Sequence, residues 1–221
     1  MTRLVVTEKE RMALNIANAL GTYSKRSLGY PSGRRGRLSV YEVAGAPGSE
    51  PLTVLPLSGH IMNYVTRSDL ERWSYASVDR ILKDPQSLVK VVSRRGYYSA
   101  IRSLAEKSSE VVIATDSDEE GENIGLEVIE ALGGQMKPVR RLWLTTTVPS
   151  DIRSSISRTR EFNRNLALSV EARRKIDALV GFAGTRQITL RLRRSLAKSQ
   201  RSTHSSWGGR STWWRRRGRQ G

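Results

Sequence analysis

Apolar residues in this sequence occur both in short continuous runs and at helical spacing. Residues 4–6 form one run, and a helical pattern follows it and stops at Gly21. Residues 111–115 form a second run, which leads into an acidic turn and a helical pattern ending at Gly133. An unbroken apolar run is typical of a strand buried on both faces of a parallel sheet. The pattern therefore predicts two strand–turn–helix units.

Further elements follow from the same reasoning. We expect strands at 37–43, 52–57 and 140–146, and helices near 98–105, 149–156 and 162–180. Residues 22–37 are predicted to be a basic loop, and the signal between 65 and 95 is weak. The order predicts an α/β fold, with a Rossmann-like, mostly parallel sheet flanked by helices over residues 1–147. A helical segment over 148–195 and a disordered basic tail over 196–221 would follow it.

Carboxylates crowd where the second run ends. Asp116, Asp118, Glu120 and Glu122 lie within seven residues, at the edge of the sheet where open α/β folds bind ligands. Hard oxygen ligands suit Mg²⁺, which would offset the repulsion between these charges. The alternative is a solvated turn in which Ser117 caps the helix with Glu120 as its partner, and the helix dipole favours the acids.

Glu8 occupies the equivalent position after the first run. The segment Thr7-Glu8-Lys9-Glu10 has the pattern of a capping box, so Glu8 is alternatively a first-turn acid that the helix dipole favours. In a parallel sheet, however, Glu8 and Asp116 would project from the same edge.

Composition narrows the class of protein. With 221 residues and no cysteine, the chain has room for one domain and part of a second, and it can form neither disulfides nor a Cys-ligated zinc site. We predict a soluble protein with no membrane partner, since it lacks a long apolar stretch and a signal-peptide pattern. A formal charge of +17 favours a phosphate-rich partner. All acidic residues lie at or before Asp177.

Four segments together resemble a known family. They are VVTEK at residues 5–9, SGH at 58–60, ATDSDEEGE at 114–122 and EARRKIDALVGF at 171–182. In this order they are similar to the N-terminal portion of a type IA DNA topoisomerase. The acidic segment resembles the signature of that family's Toprim domain, and the TEK start is closer to archaeal members.

The resemblance implies a role for each residue. Glu8 would be the general acid/base at the 3′ oxygen, and His60 would lie near the cleavage site. Without the resemblance, His60 would be interpreted as a structural histidine. The cofactor would be Mg²⁺, with no organic cofactor, and the partner a single-stranded segment of negatively supercoiled DNA. The implied metal ligands are Asp116, Asp118 and Glu120, and the implied DNA contacts are Lys9, Arg173 and Arg174.

The implied function is ATP-independent relaxation of negatively supercoiled DNA by single-strand cleavage, strand passage and religation, in the cytoplasm and with the nucleoid. The chain departs from the family in two ways. Glu119 stands where bacterial members often have Arg, and no tyrosine follows Tyr98, although the family's nucleophile is a tyrosine of a later domain. We therefore expect a truncated enzyme without activity of its own. A standalone Toprim nuclease and a non-catalytic nucleic-acid-binding remnant are the alternatives.

Overall fold

The computed structural model describes residues 2–29, 37–44 and 50–207, with side chains through Lys198. The chain forms two compact units. The first comprises Met1–Tyr64 and Lys90–Lys175, and the second comprises Val65–Val89 and Ile176–Gly221. The domain boundary at residue 147 that the sequence suggests stays a prediction.

A six-stranded sheet forms the centre of the first unit. Its strands are β1 (Thr2–Thr7), β2 (Tyr23–Gly29), β3 (Arg37–Val43), β4 (Leu52–Pro56), β7 (Ser108–Ala114) and β8 (Val139–Arg141), while β5 (Met62–Thr66) and β6 (Leu88–Val92) pair separately. The order across the sheet is β2-β3-β4-β1-β7-β8. β1 runs parallel to β4 and β7, and β8 runs parallel to β7, whereas β3 is antiparallel to β2 and β4. The predicted α/β fold with a mostly parallel central sheet is confirmed.

Helices and strands of the described residues alternate only in part, because β2 to β5 follow one another without an α-helix between them. The helices are α1 (Glu10–Leu20), α2 (Tyr75–Lys83), α3 (Arg95–Glu106), α4 (Glu119–Ala131), α5 (Pro149–Ile156) and α6 (Arg164–Trp207), with a short 3₁₀ turn at Ser68–Leu70. Among the helices of the described residues, none combines the length and apolar character needed to cross a bilayer.

The two central strands bury both of their faces. Leu4, Val6 and Ile113 point into a core that α3 and α4 cover, while Val5 and Val112 point into a core on the other face, covered by α1 and α5. All five side chains are fully buried. Because successive residues of a strand face opposite sides, an apolar run without alternation is what a doubly covered strand requires.

The prediction of a loop over residues 22–37 is wrong for its first half. Tyr23–Gly29 is the edge strand β2, paired in antiparallel register with β3. Its residues are all exposed except Leu28, which is half-buried. An edge strand without a buried face has no reason to alternate apolar and polar residues, and its Lys and Arg residues are typical of protected edges. Residues 30–36 lie outside the described part of the chain.

The expected start of the disordered tail is also wrong. Helix α6 continues through Trp207, so the residues from 196 to 207 are helical. Arg, Lys, Gln, Ala and Leu, which supply most of residues 187–201, are good helix formers even when no apolar stripe marks a helix. Residues 208–221 lie outside the described residues, and disorder there stays a prediction.

The second unit has a small core of its own. Leu70, Val78, Ile81 and Ala183 are buried together. The buried guanidinium of Arg186 donates to the Leu70 carbonyl and, over 3.0 Å, to Thr66 Oγ1.

Candidate functional site

Three strands of the first unit bring the predicted site residues to one edge. Thr7 at the end of β1 lies in register with Pro56 of β4 and Ala114 of β7, so the segments that follow these strands emerge together. The Gly59 amide donates to the Glu8 carbonyl over 3.2 Å. Gly59 has a φ of +74°, in the left-handed region that favours glycine. The edge formed by Glu8 and residues 116–120 is called the acidic edge below.

Lys9 links the two central acids of this edge. Its Nζ lies 2.7 Å from Asp116 Oδ2 and 3.0 Å from Glu8 Oε1. The hydrogen bond to Asp116 is the largest of the effects that raise the Lys9 pKa above its ordinary value, followed by the bond to Glu8. The Glu8 side chain is 13% exposed, whereas that of Lys9 is 60% exposed. Glu8 and Asp116 therefore share one cation, and that cation stays accessible from solvent.

His60 joins the acidic edge to a buried carboxylate of α4. Its Nε2 lies 2.5 Å from Glu120 Oε1, and its Nδ1 lies 2.8 Å from Glu127 Oε1. Burial lowers the His60 pKa, but the two carboxylates outweigh it, so the pKa lies above its ordinary value. Glu127 Oε2 accepts hydrogen bonds from the amides of Ile61 and Met62. The imidazole is thus held between two acids and favours its charged form.

The two predicted DNA-binding arginines occupy different environments. Arg173 is half-exposed, with Nη1 2.5 Å from Glu119 Oε1 and Nη2 3.3 Å from Glu120 Oε2. Arg174 is largely buried and donates from Nη1 to Glu127 Oε1 over 2.7 Å. Burial raises the Glu127 pKa, but His60 and Arg174 outweigh it and hold the pKa below its ordinary value. Arg173 is the arginine of this pair that a ligand can reach.

Asp118 has a structural role in this arrangement. Its Oδ1 accepts the Gly121 amide over 2.7 Å and caps α4, while the Ser117 hydroxyl donates to the Leu144 carbonyl. Ser117 is therefore not the cap, which corrects the predicted capping box at this turn. The box predicted for α1 is also wrong, because Lys9 occupies that N-cap without a side-chain hydrogen bond.

The predicted metal ligands do not form a closed set. Among the described residues, no three His, Asp or Glu side chains are grouped as a metal site would require. Asp116 is paired with Lys9, Glu120 with His60 and Arg173, and Asp118 with the helix backbone. The donor chemistry suits Mg²⁺, but these carboxylates would have to turn away from their present partners to share an ion.

A buried ion pair supports the acidic turn from behind. Arg141 Nε lies 2.8 Å from Glu122 Oε1, and both side chains are fully buried. The same guanidinium donates to the carbonyls of Thr115 and Asp116, over 3.0 and 2.7 Å. A Cβ on Gly121 would lie 2.1 Å from the Asp116 carbonyl oxygen, so only glycine fits there. Glu122, grouped with the other acids in the sequence, is thus a structural residue.

Sequence reasoning missed a second set of polar residues. Buried Asn123 donates to Glu171 Oε2 over 2.9 Å and accepts from Arg174. Glu171 also accepts from Tyr64 over 2.5 Å and lies 2.9 Å from Lys90 Nζ. Burial raises the Glu171 pKa, but Tyr64, Asn123 and Lys90 together lower it to about 2. One available signal was the spacing of Glu120, Asn123 and Glu127, which places three polar groups on one face of α4.

The geometry has a direct electrostatic consequence. Five acids lie along one edge, and the cations that balance them, Lys9, His60 and Arg173, are half-exposed or lie close to the surface. A phosphate arriving at this edge would meet accessible positive groups, of which Lys9 and Arg173 are the most exposed.

Comparisons with known proteins agree with this geometry. Residues 3–147 match the Toprim domain family. The chain is 32% identical over 192 residues to DNA topoisomerase 1 of Archaeoglobus fulgidus, covering 86% of this chain and 27% of that protein. It is 28% identical over 184 residues to DNA topoisomerase 1 of Thermoplasma acidophilum, covering 83% and 23%. With DNA topoisomerase 3-beta of Arabidopsis thaliana it shares 32% identity over 191 residues, covering 83% and 21%.

The chain thus spans about a quarter of the length of these relatives. Among solved structures, GDP-bound NFeoB of S. thermophilus matches at a TM-score of 0.38 and 10% identity, covering 75% of this chain and 63% of that one, which is too low to inform the fold. The family assignment rests on the Toprim match over residues 3–147 and on the topoisomerase relatives. The chain belongs to the Toprim family, and the resemblance to the Toprim portion of type IA DNA topoisomerases is confirmed.

Proposed function

We propose that this chain supplies the metal and acid half of a type IA topoisomerase site, which cleaves and rejoins one strand of DNA. The observation that carries the proposal is the Glu8–Lys9–Asp116 cluster, in which acids from two neighbouring strands share one cation. An acid and a cation side by side suit a reaction in which a proton moves and phosphate charge develops.

In this proposal each residue has one task. Glu8 handles the proton of the 3′ oxygen as cleavage and rejoining proceed, and His60 orients Glu120 while adding positive charge near the scissile phosphate. Lys9 and Arg173 contact the DNA backbone. Arg174 acts through Glu127, with which it forms a 2.7 Å ion pair, and so positions His60.

The metal part of the proposal concerns Mg²⁺. Asp116, Asp118 and Glu120 are the residues that would hold the ion, and it would neutralise charge on the phosphate. Their oxygen chemistry supports this assignment. Binding would require Asp116 and Glu120 to exchange Lys9, His60 and Arg173 for the ion, so the metal and these cations compete.

The nucleophile is expected from outside this sequence. No tyrosine follows Tyr98, and the hydroxyls of Tyr41 and Tyr64 donate to Glu10 and Glu171. We infer that relaxation of negatively supercoiled DNA, in the cytoplasm and at the nucleoid, is the activity of an assembled enzyme to which this chain contributes.

A supercoiled plasmid tests the proposal. Incubated with Mg²⁺ and the 221-residue chain alone, it should remain supercoiled, because the attacking group is missing. A ladder of topoisomers would contradict the missing-nucleophile argument. Nicking that Glu8→Gln abolishes would instead favour a Toprim nuclease that uses activated water.

The metal assignment has a separate test. Mg²⁺ should raise the unfolding temperature of the chain, because a ligand that binds only the folded state stabilises it. Asp116→Asn with Asp118→Asn should remove this shift, and a control with exposed Asp79→Asn should keep it. An unchanged Mg²⁺ response in the double variant would contradict metal binding at the acidic edge.

A further inference from the structure

A second charged surface lies in the second unit, on helix α6. Arg191, Arg194 and Lys198 follow one another at spacings of three and four residues, so they share one helix face. All three are exposed. These three residues are called the basic stripe below.

The basic stripe has no acidic counterpart. No Asp or Glu occurs in the sequence after Asp177, and no carboxylate among the described residues forms an ion pair with any of the three cations. Like charges at these spacings repel one another in the absence of a ligand. The stripe therefore carries positive charge that only an outside anion would neutralise.

The stripe borders a cavity that also contains an aromatic ring. This cavity has a volume of about 690 Å³ and is lined by Tyr75, Gln187, Ser195 and the three stripe cations. Tyr75, at the start of α2, is 45% exposed. A planar ring beside a row of cations is the arrangement with which proteins bind single-stranded nucleic acid, by stacking a base while the cations follow the backbone.

An apolar groove continues from the same tyrosine. It has a volume of about 540 Å³, and its lining includes Tyr75, Val78, Leu82, Val180 and Ala183. Leu82 and Val180 are more than half exposed. Tyr75 and Gln187 line both cavities, so a cationic and an apolar surface meet at one ring, which matches a ligand with charged phosphates and apolar base faces.

We propose that the basic stripe and the adjoining Tyr75 groove form a binding site for single-stranded DNA on the second unit. The phosphates contact Arg191, Arg194 and Lys198, and one base stacks on Tyr75 with its edge toward the apolar groove. The inference rests on the proposed function in its choice of DNA as the ligand. It adds a contact that needs no metal.

Fluorescence anisotropy of a labelled oligothymidylate of about 15 nucleotides, measured in EDTA with the full chain, tests this site. Removing three phosphate contacts in Arg191→Gln/Arg194→Gln/Lys198→Gln should weaken binding about tenfold or more at low salt. It should also lower the slope of log K against log salt by about 2. Tyr75→Ala should weaken binding about tenfold, whereas Tyr75→Phe should bind like the unchanged chain because its ring remains.

The matched control is Lys107→Gln/Arg158→Gln/Arg193→Gln, which removes the same charge from exposed positions outside the stripe. Arg193 lies on a different face of α6 from Arg191. Equal weakening in this control would overturn the proposal, because the effect would then reflect net charge. An unaffected Tyr75→Ala variant would overturn base stacking. Circular dichroism melts verify that each variant is folded.

One more variant separates this inference from the proposed function. Glu8→Gln with Asp116→Asn removes two negative charges from the acidic edge, so it should not weaken oligothymidylate binding in EDTA. If this double variant abolishes binding and the stripe variant does not, the proposed site is wrong, while DNA binding at the acidic edge is supported. If the stripe variant alone loses binding and Mg²⁺ has no effect on the chain, the stripe is supported and the metal proposal fails.

Discussion

At the acidic edge of the first unit, the charges that the sequence crowds together have partners from other parts of the chain. Lys9 balances Glu8 and Asp116, Arg173 balances Glu119, and His60 lies between Glu120 and Glu127. The basic stripe of the second unit differs, because no described carboxylate pairs with its cations. One region holds its charges in a defined network, and the other presents them to solvent.

The charges of the acidic edge are preorganised by their internal partners, whereas the cations of the basic stripe are free to bind an anion. A network of paired charges fixes side chains in place before a ligand arrives, and a ligand must compete with the internal partners. Unpaired surface cations bind polyanions without such competition, but with little geometric selectivity and strong dependence on salt. We expect substitutions to affect stability mainly in the first unit and salt-dependent binding mainly in the second.

The largest expected effect is on the buried pair behind the acidic turn. Arg141→Met leaves Glu122 charged and buried without its partner, which typically costs about 3–5 kcal/mol. The additional substitution Glu122→Leu should recover part of this loss, since it removes the uncompensated charge. Urea unfolding followed by circular dichroism measures both values. A loss below about 1 kcal/mol in the single variant would show that this turn does not depend on the pair.

The next effect depends on pH. The Glu171 pKa is lowered from its ordinary 4.5 to about 2 in the folded chain, so its contribution is present above pH 4.5 and is lost as pH falls toward 2. It amounts to on the order of 3 kcal/mol. Glu171→Gln should remove this part of the acid dependence of the unfolding free energy, and exposed Glu106→Gln should not. Parallel acid curves for Glu171→Gln and the unchanged chain would contradict the network.

The smallest changes in stability are expected for exposed residues, one from the acidic edge and its partners and one from the basic stripe. Arg173→Gln breaks a half-exposed pair with Glu119 and should lower the free energy of unfolding only slightly. Arg194→Gln in the basic stripe should be neutral or stabilise by a few tenths of a kcal/mol, because it removes repulsion from Arg191 and Lys198. Thermal unfolding at low and high salt distinguishes the two variants, because screening by salt should reduce the loss of stability in Arg173→Gln. A larger loss in Arg194→Gln than in Arg173→Gln would reverse the comparison.

Much of the fold could be predicted from the sequence because burial imposes a pattern of apolar residues on helices and strands. The runs at 4–6 and 111–115 are buried on both faces, so they predicted the two central strands and the shared edge of Glu8 and Asp116. Strand β2 was missed because its exposed side chains create no apolar pattern. The end of α6 was missed because the sequence from residue 196 to 207 has no apolar periodicity. Partners from different elements, such as Arg141 of β8 for Glu122 of α4, were missed because no local spacing relates them.

The sequence by itself determined the α/β class, the Toprim resemblance and the set of acids at the sheet edge, since strand periodicity and short motifs are local properties. Only the tertiary structure decided which acids are available for chemistry. In the folded chain, Asp116 pairs with Lys9, and Asp118 caps α4. Glu122 is buried against Arg141, and Glu127 binds His60. Whether a carboxylate is available depends on its burial and on the charges that folding brings within a few ångströms. The residues that supply those charges lie 19 to 107 positions away along the chain.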